Sequence, residues 1–257
     1  MNNTINLENA HHVTLPNGLR AMLCHTPEAS ESFVSMAVRA GHFYDPNDCQ
    51  GLAHLLEHML FMGSRHLPKP NAINGFIEQH GGTINAWTGT EYTNYHFNCS
   101  GDAIAQTLPA FADMLRQPLF EEDALTNEIK NIHAEFEFKK KDDLRRLYQI
   151  HKETCNPEHP FAKFSVGNCD TFSQHECTEL KRRLKALHQS YYCALNMRLC
   201  IASPMPIPQL EALVHQCFGT LPSGQLASDD WPSLYTENEL GIQINIHPLQ
   251  SARRMIV

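Results

Sequence analysis

Apolar and polar positions alternate along the first forty residues and then change period. "HHVTLP" at 11–16, "LRAMLCH" at 19–25 and "SFVSMAVRAG" at 32–41 read as strands, the first two joined at an Asn17-Gly18 turn. From Gly51 the period becomes helical: "GLAHLLEHMLFMG" predicts a helix over 51–63, and a second runs from 71 to 80 and stops at Gly81-Gly82. Strands return in "TINAWTG" at 83–89 and "EYTNYHFNCS" at 91–100. Helices are then predicted over 102–116, 121–152, 175–192 and 207–218, with the strand "MRLCIAS" between the last two. The class is α+β, a mostly antiparallel sheet covered by helices.

The pattern also divides the chain. Residues 1–225 read as one domain and the Pro- and Ser-rich stretch 226–235 as a linker. Residues 236–257 begin new strands and stop inside an apolar one, "RRMIV", so they read as the start of a second, truncated domain and the chain as the first module of something longer.

The 51–63 helix poses a chemical problem. Leu52, Leu55, Leu56, Met59 and Leu60 cover most of its surface, as on a helix surrounded by core. Yet His54, Glu57 and His58 project together within an arc of roughly 100°. Three unpartnered groups there cost several kcal/mol, so something must satisfy them. A divalent metal does so: imidazoles at i and i+4 reach one ion from one helical face, and the glutamate can take the proton of a water held there. The same short motif surrounds the metal of an S-ribosylhomocysteine lyase, so the rest of the chain must decide.

Composition narrows the field. With 257 residues, 42% apolar and 19% charged, the chain matches ordinary globular domains. A net charge of −8 argues against general nucleic-acid binding, and its basic run "KKKDDLRR" at 139–146 reads as a solvated helix face. Nine cysteines without a Cys-x-x-Cys pair suit a reducing compartment. No signal peptide and no membrane span is visible, so the expectation is a cytoplasmic protein.

Two histidines leave a zinc site one protein ligand short. The 121–152 helix offers Glu128 and Glu135, two turns apart on one face, with Glu137 close by. The segments "GLAHLLEHMLFMGS", "GGTINAWTGTEYTNYHFNCS", "NEIKNIHAEFE", "NPEHPFAKFSVGN" and "LHQSYYCALNMRLCIAS" together resemble the pitrilysin/insulysin (insulinase) family of zinc metallopeptidases, the inverzincins, in order and spacing over nearly the whole chain. The resemblance implies His54, His58 and Glu135 as zinc ligands, Glu57 as general base and Glu128 as a carboxylate that positions the ligands. It also pairs Asp143 with Arg146 in support of the ligand helix. It makes "TINAWTG" an edge strand that takes a peptide substrate as an added strand, pointing to Asn85, Ala86 and Trp87; an ordinary sheet strand with Trp87 in the core is the alternative. Tyr95 and His96 read as structural.

The implied function is a zinc-dependent metalloendopeptidase acting on peptides and small unfolded proteins. This chain is its N-terminal catalytic module, and further similar modules of the full-length protease are its partners. The competing readings are a scaffold of the same fold that has lost activity, and a small-molecule metal hydrolase or lyase.

Overall fold

Six strands and eight α-helices form a sheet with helices packed on one face in the computed structural model, which describes residues 10–249. The strands are β1 (Ala10–Thr14), β2 (Arg20–His25), β3 (Glu31–Val38), β4 (Ile84–Thr88), β5 (Thr93–Ser100) and β6 (Met197–Ser203), in the spatial order β1-β2-β6-β3-β5-β4. Every pairing is antiparallel except β2 with β6, which is parallel. Period-two alternation puts Val34, Met36, Val38, Tyr95, Phe97, Met197, Leu199 and Ile201 on the buried face, while residues between them stay partly open to solvent.

The helices α1 (Leu52–Leu60), α2 (Ala72–Gln79) and α3 (Ile104–Arg116) precede α4 (Glu122–Lys139) and α5 (Asp143–Glu153). A short α6 (Cys169–Phe172), then α7 (Cys177–Tyr191) and α8 (Ile207–Phe218), complete the set. Helix α1 packs against α4, α7 and β4, which places it inside the molecule and beside the edge of the sheet. The tyrosine expected to be structural is so: Tyr95 is buried and its hydroxyl meets that of Tyr192 at 2.6 Å.

The structure departs from the pattern at three places. The helix predicted over 121–152 is two helices, because the Asp142 carboxylate accepts hydrogen bonds from the backbone N–H groups of Leu144 and Arg145 and starts a new one. Helix α6 went unpredicted; it is one turn held by a capping box between Asn168 and Thr171. From Gly241 to Leu249 no strand is present among the described residues; the remaining expected strand residues, 250–257, lie outside them.

The stretch read as a linker is fastened along the domain. Ala227 N–H donates to Asn196 Oδ1, Asp229 pairs with Arg39 at 3.0 Å, and Asn156 binds the carbonyls of Ser233 and Leu234. Its composition builds no core, but its backbone polar groups still find partners.

A buried lysine ties α5 to this framework. Lys152 is fully buried, its Nζ donates to His42 Nε2 at 3.2 Å, and His42 Nδ1–H in turn donates to the Gly89 carbonyl. Burial lowers the Lys152 ammonium to about 8, against the opposing charge of Asp45. The folded-state value therefore lies below the unfolded value, of roughly 10.4 for a lysine. Between the two, the unfolded chain holds more protons, and stability from this group rises with pH. Urea unfolding of wild type and Lys152→Met across this window should show the wild type gaining stability relative to the variant as pH rises above about 8; a flat difference contradicts the assignment.

Candidate metal centre

Helix α1 starts on a residue that only glycine suits. Gly51 has φ +91°, and a Cβ there would lie 2.4 Å from the Gly167 Cα. The buried Asp45 carboxylate accepts from both Gly51 N–H (2.8 Å) and Ala53 N–H (2.7 Å), satisfying two of the free donors at the N-terminus of the helix. Its own support is Lys163, whose Nζ donates to the carbonyls of Phe43 and Asp45. The rotation of α1 is thereby set, and with it the direction of its three ionisable side chains.

Each histidine is then held by its Nδ1. His54 Nδ1–H donates to the Val166 carbonyl at 2.7 Å, which the close approach of Gly51 and Gly167 brings within reach. His58 Nδ1–H donates to Glu128 Oε2 at 2.9 Å, and the other Glu128 oxygen accepts from Asn131 Nδ2. With Nδ1 donating, both Nε2 lone pairs face the Glu135 carboxylate, at 3.8 Å from His54 and 3.7 Å from His58. The three ligand atoms all lie within 4.8 Å of one another. For zinc with bonds of about 2.0–2.1 Å, neighbouring ligand atoms of a tetrahedron are separated by roughly 3.4 Å, close to what these residues present. Two imidazoles and a carboxylate are also a donor set that zinc takes readily.

Burial lowers the His54 imidazole to about 4, reinforced by the neighbouring His58, so it is neutral at pH 7. Burial also pulls His58 down, but its bond to Glu128 and the charges of Glu57, Glu128 and Glu135 outweigh this and raise it. Burial would raise Glu135, yet Lys139, which donates to its Oε1, and the two histidines bring it below the usual carboxylate range.

Glu57 stands beside this trio and takes no part in it. It is buried, and Thr88 Oγ1–H donates to its Oε2 at 2.5 Å. Burial holds its carboxyl above the ordinary value, against the hydrogen bond from Thr88 and the charge of His58. Thr88 is the last residue of β4 and also meets Thr93, whose hydroxyl donates to the Ala40 carbonyl. A buried carboxylate close to the candidate ligands His58 and Glu135 can act as a proton acceptor.

The model of the insulinase family, peptidase family M16, matches residues 20–162, more than half of the chain. The chain belongs to this family. Over 94% of its length it is 32% identical to the human insulin-degrading enzyme, and over 92% it is 32% identical to protease 3 of Escherichia coli K12. The A-factor-processing enzyme of Saccharomyces cerevisiae is 34% identical over 80% of the chain. The crystal structure of pitrilysin superposes with a TM-score of 0.83 at 30% identity, over 93% of this chain and 26% of that one. The chain spans about a quarter of the length of the curated relatives it matches, 24% of the human enzyme and 25% of protease 3.

Within this insulinase-family domain, His54, His58 and Glu135 converge, Glu128 touches His58, and Glu57 lies alongside. Asn85, Ala86 and Trp87 lie on β4, which is an edge strand, pairing with β5 alone among the described strands. Trp87 is 52% exposed, so it is not a core residue. The Ala86 N–H donates to the Asn85 carboxamide oxygen at 2.8 Å. Asp143 and Arg146 pair at 2.8 Å at the start of α5.

Asp45, Thr88, Val166 and Lys139 escaped the sequence reading. Asp45 left a weak signal, an acidic residue shortly before a helix that opens on glycine. Val166 acts through its carbonyl, which every residue has.

Two glycine substitutions separate close approach from mere flexibility. Gly51→Ala should lose more than about 1 kcal/mol of unfolding free energy. Gly75→Ala, in the interior of α2 where a Cβ meets nothing within 4 Å, should gain about 0.5–1 kcal/mol. Equal effects in urea unfolding contradict the role given to Gly51.

Proposed function

We propose that this chain is the zinc-bearing catalytic module of a metalloendopeptidase that hydrolyses peptides and small unfolded proteins, acting together with further modules of a longer protease. The observation that carries this reading is the convergence of both Nε2 atoms on Glu135, with a buried, separately anchored Glu57 next to them.

His54, His58 and Glu135 hold the zinc, and Val166 and Glu128 keep the two imidazoles in the tautomer that can bind it. Bound there, zinc supplies a Lewis acid for the scissile carbonyl and the incoming water. Glu57, held at Oε2 by Thr88, accepts the water's proton on its carboxylate and delivers it to the departing amine. Burial, by raising the basicity of its carboxylate, suits it to both transfers. The substrate lies along β4 as an added strand, replacing the Asn85 carboxamide as the partner of the Ala86 N–H, with Trp87 beside it. Main-chain bonding of that kind places little demand on substrate sequence.

A scaffold of the same fold would account for the sheet and helices but leaves Glu57 and Thr88 without a task. Glu57→Gln in the complete protein should bind metal as wild type does while losing at least about a hundredfold in turnover of a fluorogenic peptide. Metal retained together with undiminished turnover would defeat the reading of Glu57 as the base.

A further inference from the structure

The chain as a whole is acidic, with a net charge of −8, yet the wall of the cleft beside the metal centre is basic. This cleft holds about 1050 Å³ and is bounded on one side by Thr88, Gly89 and His54. On the other stand Lys139, Lys140, Lys141, Arg145 and Arg146, with Glu135 and Asp142 the only carboxylates among its lining residues. The break between α4 and α5 brings these cations together, since one continuous helix would spread them around its circumference.

Following each charge to its partner shows which remain unanswered. Lys140 pairs with Glu137, and Arg146 pairs with Asp143. The Asp142 carboxylate is engaged by the backbone N–H groups of Leu144 and Arg145. Lys139 donates to Glu135, the carboxylate that the metal requires. Lys141 and Arg145 are exposed, and neither has a carboxylate partner among the described residues. Phe136, Phe164, Leu144 and Tyr148 also line the cleft, lowering the local polarity. Charges over such a surface attract an opposite charge more strongly than they would in open water.

We propose that the 139–146 turn selects peptides that carry an aspartate or glutamate side chain over this part of the cleft, with Lys141 and Arg145 as its principal contacts and Lys139 joining them when Glu135 turns to the metal. The selection rests on the peptidase reading above. Lysine ammoniums accept a carboxylate from many directions, so the preference is for charge rather than for one exact sequence. Repulsion from the acidic body of the protein works against such peptides, so attraction at low salt must arise from the cleft itself.

Calorimetric titration of the zinc-loaded Glu57→Gln protein tests this without turnover. The ligands are two sets of otherwise neutral decapeptides, one with a single glutamate stepped through each position and the other with glutamine in its place. At its best position the glutamate peptide should bind about fivefold more tightly than its glutamine twin at low salt. The difference should fade as salt approaches about 1 M. Lys141→Gln with Arg145→Gln should bring the ratio close to one, and Lys141→Glu with Arg145→Glu should invert it. Because the readout is a ratio on one protein, partial unfolding of a variant does not imitate an inversion. Equal binding at every position, or a preference that survives both double variants, overturns the charge selection alone. Failure of every peptide to bind overturns it together with the peptidase reading.

Discussion

Everything around the candidate metal centre follows from placing two histidines and a glutamate on a helix that the core encloses. Helix α1 contributes Leu52, Leu55, Leu56, Met59 and Leu60 to the interior, so its polar side chains cannot turn to bulk water on that side. Each must find a partner within the protein, because an unsatisfied buried polar group costs free energy comparable to that of a whole substitution in the core. The partners come from three separate places: the Val166 loop, α4 with Glu128 and Glu135, and β4 with Thr88. One requirement, satisfied locally, thus ties the sheet edge, the long helix and a distant loop into one rigid site.

That rigidity separates two roles. The imidazoles are fixed through their Nδ1 atoms, which leaves Nε2 free to converge on Glu135. Glu57 is fixed through Oε2 by a residue of the strand that borders the cleft. A site prepared in this way needs little rearrangement when a reaction begins, and preorganisation of polar groups is a large part of how enzymes lower barriers. Thr88 also links the proposed base to β4, the strand proposed to hold substrate.

Much of this was legible in the chain. Alternation identified the strands, and the polar arc on α1 marked His54, Glu57 and His58 by elementary helix geometry. Glu135 was different: its side chain shares a helix with other glutamates, and spacing alone does not say which of them crosses the interior to α1. Resemblance to the family singled it out, and the packing of α4 on α1 supplies the physical reason. Asp142 was misread because the same acidic residue suits both a solvated helix face and the cap of a new helix, and only the tertiary path chooses. The contacts of the 226–235 stretch were not legible, because low apolar content says that a segment builds no core and nothing about where its polar groups bind.

Metal binding by the three converging residues is the claim on which the chemistry stands, and competitive zinc titration of metal-free protein tests it directly. The wild type should take up about one equivalent tightly, while Glu135→Gln and His58→Ala should each weaken binding by orders of magnitude. Glu128→Gln, which alters a hydrogen bond to His58 and no ligand, should weaken it by about ten- to a hundredfold. Tight uptake that survives Glu135→Gln, or a wild type that takes up none, would contradict the assignment of this cluster as a zinc site.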